Sequence, residues 1–169
     1  SSKGIGRAIA EQLAEMGANV TVVARSKDIL EVLVRQLPTK DAQEHDFLVA
    51  DYSNLDSLER GLESLLIKKN YHIIINNTGG PPGGPIIEAG IEEFRSALNN
   101  HLFCNHLITT KLLAGMIEDG YGRVINIIST SVKQPLNGLG VSNTTRGAVA
   151  NWAKTMANEL GPYGITVNN

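Results

Sequence analysis

SSKGIGRAIAEQLAEMGANVTVVA, residues 1–24, is the stretch whose reading decides the fold. Ser1-Ser2-Lys3-Gly4-Ile5-Gly6 is a glycine turn that runs directly into Ile9, Leu13 and Met16, an apolar stripe at helical spacing that Gly17 ends. The following segment, Asn19 to Ala24, is rich in β-branched residues and predicts a strand. Helix then strand is one unit of an α/β fold. A glycine turn ahead of a helix leaves backbone N–H groups pointing outward at the positive end of the helix dipole, where a phosphate or pyrophosphate binds. Gly-x-Gly alone also occurs in ordinary tight turns, so the helix and strand that follow are what give it weight. An α/β nucleotide domain begins with an apolar strand ahead of its glycine loop, whereas this sequence starts inside the loop. The expectation is a fragment.

Working outward, the alternation continues. From Ser26, Ile29, Leu30, Leu33, Val34 and Leu37 mark a second helix that Pro38 stops. Phe47 to Ala50 is a short strand closing on Asp51, and Ser53 is a candidate N-cap for a helix carrying Leu55, Leu58, Leu62, Leu65 and Leu66. Ile73-Ile74-Ile75 is wholly apolar, which predicts burial on both faces and therefore a parallel sheet covered by helices. It enters a Gly- and Pro-rich shaped turn at 76–85. Residues 91–118 form the longest helical pattern, with Phe94, Leu98, Leu102, Ile108 and Leu112 on one side and His101 and Asn105 within the stripe. The plain reading of His101 is a core histidine hydrogen-bonded to a neighbour.

Val124 to Ile128 reads as a buried strand ending in Ser129-Thr130-Ser131. A helix then carries Val149, Trp152, Ala153, Met156 and Leu160, and at its start Ser142 and Arg146 lie four apart on one face. A strand-end serine facing two polar residues one turn apart is a chemical site in outline. The plainer alternative is that Ser142 caps the helix and Arg146 is solvated. Residues 164–168 begin a last strand. The expected fold class is α/β, a doubly wound parallel sheet of Rossmann type, and the expectation for residues 1–169 is a single dinucleotide-binding domain truncated at both ends.

Composition excludes several functions. At 42% hydrophobic and 19% charged over 169 residues, the chain has the makings of one globular core. Its net charge is −2 with no basic cluster, so neither nucleic acid nor an anionic membrane is expected as a partner, and a small-molecule substrate is. No apolar run approaches a bilayer span, and no secretory signal precedes the first helix. Cys104 is the single cysteine, which excludes an intrachain disulfide and fits a reducing, cytoplasmic setting. His45, His72, His101 and His106 have no metal-ligand spacing, so no metal is expected.

Five motifs in order resemble the short-chain dehydrogenase/reductase superfamily. Ser2-Lys3-Gly4-Ile5-Gly6 is similar to the end of its TGxxxGxG loop, and Asp51 to its adenine-contacting Asp after the third strand. Asn76-Asn77-Thr78-Gly79 resembles its NNAG. Asn126-Ile127-Ile128-Ser129 resembles the strand ending in its catalytic Ser, and residues 164–168 the strand before its PG motif. The likeness is to an atypical β-ketoacyl carrier-protein reductase-like branch lacking the Tyr/Lys pair.

The resemblance implies an NADP-dependent oxidoreductase acting on a carbonyl or hydroxyl substrate with an altered tetrad. The family's Ser falls on Ser129, its YxxxK on Ser142 to Arg146, and its helical Asn on His101. A serine hydroxyl is a far weaker acid than a phenol, and Arg cannot release its proton. Ser129 and Ser142 are then expected to bind the substrate oxygen and Arg146 the cofactor ribose, with the proton coming from water or His101. Ser2, Lys3, Gly4, Ile5, Gly6, Arg25, Asp51, Asn77, Gly79 and Arg146 are the expected cofactor residues. Lys3 and Arg25, the latter where an acidic residue would receive the adenosine ribose, favour the 2′-phosphate of NADP over NAD, although both also read as ordinary surface charges. The helices at 91–118 and 142–160 resemble those through which the family forms dimers and tetramers, so a homodimer or homotetramer is expected. Trp152 there is an anchor or a core residue. The tetrad changes favour an alternative, a dinucleotide-binding protein without redox turnover that serves as a sensor or assembly subunit.

Overall fold

Gly4, with a left-handed φ of 59°, opens α1 (Gly4–Glu15) in the computed structural model, which describes residues 2–40, 42–67 and 69–169. Ser1 of the glycine turn lies outside the described residues. The chain divides into two compact units, residues 1–65 and 66–169.

In the first unit, α1 ends at Gly17, whose φ of 95° lets the N–H groups of Gly17 and Ala18 close on the carbonyls of Ala14 and Leu13. The expected stripe is corrected here. Met16 is 74% exposed, and the face α1 buries is Gly6, Ala10 and Ala14, small residues that let a helix backbone approach its neighbours closely. That face joins Val20, Val22, Leu30, Leu33 and Leu37 in one core cluster. Strand β1 (Thr21–Ala24) pairs in parallel with β2 (Asp46–Val49), Thr21 facing Asp46 and Ala24 facing Val49. Between them α2 (Lys27–Gln36) buries Leu30 and Leu33. Helix α3 (Leu55–Leu66) buries Leu58, Leu62 and Leu65. Its cap is Asn54, not Ser53: the Asn54 side-chain oxygen accepts from the Ser57 N–H at 2.9 Å, while the Ser53 N–H is turned back to Asp51.

The second unit holds β3 (Ile73–Asn76), β4 (Gly122–Asn126) and β5 (Ile165–Asn168) as one parallel sheet in that order. Ile73 faces Arg123, and Gly122 faces Ile165. Burial of β3 on both faces is not what the structure has: Ile73, at the start of the strand, is 38% exposed and Ile75 on the same face is half-buried, while Ile74 on the other face is buried. Strand β4 stops at Asn126, two residues before the expected end.

The long helical run is three segments, α4 (Ile91–Leu98), a π-helical turn at Asn99–Phe103 and α5 (Cys104–Glu118), with the Cys104 N–H donating to the Asn99 carbonyl. Helix α6 (Gly140–Leu160) begins two residues ahead of Ser142, so Ser142 is not its cap. Every strand pair is parallel and helices intervene between successive strands, the arrangement of a doubly wound α/β fold. Among the described residues no helix is long and apolar enough to cross a membrane.

Candidate functional site

Two clusters carry the expected site residues, one in each unit. In the first, Lys3 is exposed with extended backbone and Gly4 starts the helix. A Cβ on Gly4 would meet nothing within 4 Å, so its left-handed φ and not crowding calls for glycine. The first turn of α1 holds no acidic residue. Ser2 is half-buried, Ile5 exposed and Gly6 buried, and among the described residues no side chain caps the helix start, where backbone N–H groups suit an anion. These features fit the phosphates of a dinucleotide.

Arg25 follows β1 and Asp51 follows β2, with the Ala50 N–H bonded to the Ala24 carbonyl at 3.0 Å, so the ladder places both side chains at one end of the strand pair. The Asp51 carboxyl is held below its ordinary range, first by the Ser53 N–H at 3.0 Å and the Ser53 side chain, then by the Arg25 charge.

The second cluster gathers at the ends of β3 and β4. Asn76 and Asn126 stand opposite one another, and the Asn76 amide donates to the Asn126 side-chain oxygen at 2.8 Å. Asn126 in turn donates to the Asn168 carbonyl at 3.3 Å and to the Asn169 side chain at 3.1 Å, which ties three strand ends together. Beyond them Asn77 and Thr78 are half-buried and Gly79 is exposed. The Ser129 hydroxyl oxygen accepts from the Ser131 N–H at 3.1 Å, capping a 3-10 turn at Thr130–Val132 and leaving its own proton free to donate.

Arg146 is only 9% exposed, and its guanidinium donates to the Ile127 carbonyl at 2.7 Å, which corrects the solvated alternative. Burial lowers its pKa. The cation is thus held beside the segment that ends in Ser129, and Ser142, half-buried, lies one helical turn before it.

His101, 2% exposed, packs its Nδ1 against the Thr78 hydroxyl in a hydrogen bond. Its pKa falls from 6.5 to about 4, first through burial and then through the Arg146 charge. The ring is neutral at neutral pH. It lines a cleft of about 380 Å³ together with Gly79, Gly80, Pro81, Ser96 and Asn100. The π turn carries His101 into this position, consistent with the tendency of such turns to sit at sites.

The structure therefore brings together Arg25 with Asp51 in one unit, and Thr78, His101 and Arg146 in the other. Sequence reasoning missed Thr78, the Asn76–Asn126 pair and the Ile127 carbonyl as parts of the site. All three stood in stretches already singled out, but their pairings span 19 to 50 positions and have no local signature. Among the described residues no group of His, Cys, Asp and Glu is arranged to hold a metal ion.

The short chain dehydrogenase family model matches residues 1–169. Inactive hydroxysteroid dehydrogenase-like protein 1 of Homo sapiens is 25% identical over 171 residues, 100% of this chain and 52% of that protein. A 3-oxoacyl-(acyl-carrier-protein) reductase of Haemophilus influenzae is 31% identical over 173 residues, 99% of this chain and 68% of that protein. The structure of L-sorbose reductase from Gluconobacter frateurii complexed with NADPH and L-sorbose matches with a TM-score of 0.93 at 31% identity, covering 99% of this chain and 64% of that one. The chain spans about half to two thirds of the length of these relatives.

Proposed function

Because the chain belongs to the short-chain dehydrogenase family, we propose that it is an NADP-dependent oxidoreductase of a carbonyl or hydroxyl substrate that works without the Tyr/Lys pair. The observation that carries the reading is the hydrogen bond from Arg146 to Ile127, which keeps a cation beside the segment ending in Ser129 although the phenol is gone. Ser2, Lys3, Gly4, Ile5, Gly6, Arg25 and Asp51 would hold the adenosine and phosphate part of NADP, and Asn77, Gly79 and Arg146 the nicotinamide end. When bound, NADPH supplies a hydride to the carbonyl carbon. Ser129 and Ser142 hydrogen-bond the substrate oxygen, and Arg146 orients the ribose. His101, neutral at neutral pH, is a poor source of the proton, so water is the favoured donor.

Residues 1–169 are read as a single dinucleotide-binding domain, and the whole protein as a cytoplasmic homodimer or homotetramer acting on a small molecule. Relatives named as reductases and a neighbour bound to NADPH support the reductase reading. The second reading is dinucleotide binding without turnover. Ser142 in place of a phenol favours it, and the human relative is named inactive.

Incubation of the full-length protein with NADPH and a panel of ketones and oxoacyl thioesters tests the choice. Turnover abolished by Ser129→Ala establishes the oxidoreductase; micromolar NADPH binding with no turnover on any substrate establishes the other. On the cofactor itself, NADPH is expected to bind more tightly than NADH, with Arg25→Asp narrowing the gap. Equal affinities of the wild type for the two, read by calorimetry, remove the 2′-phosphate role of Arg25.

A further inference from the structure

Thr78 stands where the family pattern has Ala, and His101 where it has Asn. The structure puts these two departures in direct contact, although they are 23 positions apart. We propose that Thr78 is a positioning residue that fixes the tautomer of His101, so that the neutral ring presents an Nε2–H donor to an oxygen of the ligand in the cleft. The inference rests on the reading of this site as one for a carbonyl or hydroxyl substrate, and it gives His101, a poor proton source, the part of an oriented hydrogen-bond donor.

The Thr78 hydroxyl and His101 Nδ1 are hydrogen-bonded, so Nδ1 is committed and Nε2 is the ring nitrogen left for the cleft that His101 lines. A neutral imidazole has one N–H and one lone pair, and the partner of one nitrogen decides which it carries. The hydrogen bond joins two groups that can each donate or accept, and in the proposed arrangement the Thr78 hydroxyl is the donor. Donation from Thr78 to Nδ1 places the ring proton on Nε2, where a ligand in the cleft that His101 lines would accept it.

The charged group that acts on the ring is Arg146, and together with burial it keeps the imidazole from taking a second proton. A neutral imidazole N–H near a buried cation is suited to holding negative charge that develops on a substrate oxygen, because both are fixed before the ligand arrives. No covalent change occurs on His101 or Thr78.

Long-range 1H–15N correlation of histidine in the full-length protein reads the tautomer directly. In the wild type, His101 is expected to show one form, with Nδ1 unprotonated and Nε2 protonated. Thr78→Val, which keeps the shape and removes the hydroxyl, is expected to release it into a mixture, and Thr78→Ser to restore it. A wild-type ring protonated on Nδ1, or an unchanged tautomer in Thr78→Val, overturns the proposal. The wild-type spectrum decides the first point even if the valine variant does not fold.

Where turnover is present, Thr78→Val should lower kcat roughly two- to tenfold, the worth of one hydrogen bond, while KM for NADPH stays within about twofold. A lost tautomer with unchanged kcat also overturns the positioning role. Absence of turnover in the wild type counts against the oxidoreductase reading and leaves the spectroscopic result standing, so the two failures are distinguishable.

Discussion

His101 feels burial and the Arg146 charge together, and both favour its neutral form. Its pKa is 6.5 in an open chain and about 4 in the fold, so between those values the unfolded state binds the extra proton. Stability from this group is complete above pH 6.5 and is lost as pH falls towards 4, by an amount on the order of 3 kcal/mol. His101→Gln is expected to flatten that part of the pH profile. The check is the difference in urea midpoint between wild type and variant at pH 7 and pH 4.5; an unchanged difference removes the buried imidazole as the cause. At the same scale, Ser142→Tyr with Arg146→Lys returns a tunable phenol and a flexible ammonium to the positions that lack them. The pair is expected to raise any reductase rate on the ketone panel, provided the ring is accommodated.

Among the elements, α3 and the turn into β5 make the sharpest tests of local structure. Asn54 caps α3, so Asn54→Ala should cost about 1 kcal/mol of stability, whereas Ser53→Ala should cost less, since it keeps the N–H bond to Asp51 and loses only a side-chain bond to an exposed carboxylate. Equal losses in urea would return the cap to Ser53. Gly164 and Gly138 share a left-handed backbone, with φ of 73° and 71°. They differ in space: a Cβ at Gly164 would lie 2.2 Å from the Gly120 carbonyl oxygen, and one at Gly138 would meet nothing within 4 Å. Gly138→Ala should therefore cost about 1–2 kcal/mol from the backbone alone, and Gly164→Ala clearly more, because a carbonyl must move as well. Melting temperatures in the reverse order would refute the assignment.

For the whole molecule, the expected assembly involves the helical runs at 91–118 and 142–160, where half-buried Trp152 donates to His106 at 3.3 Å and Phe103 of the π turn is exposed. Sedimentation at micromolar concentration should show a dimer or tetramer, and a monomer would leave Trp152 as a local packing residue only. What the sequence by itself determined was the order of helices and strands, their parallel α/β character, the glycine turn at Gly4 and the strand-end places of Arg25 and Asp51, whereas Ser129 lies three residues past the end of β4. Each of these follows from hydrophobic period and turn chemistry within a few residues.

Burial and partnership were decided only by the tertiary structure. Arg146 is enclosed and bonded to Ile127, Met16 is left in solvent while Ala10 and Ala14 are covered, and Thr78 meets His101. The physical reason is that the free energy of placing a side chain depends on which remote groups surround it. A guanidinium reads the same in sequence whether water or a backbone carbonyl accepts its hydrogen bonds, and only the folding that brings α6 beside the segment following β4 chooses between them.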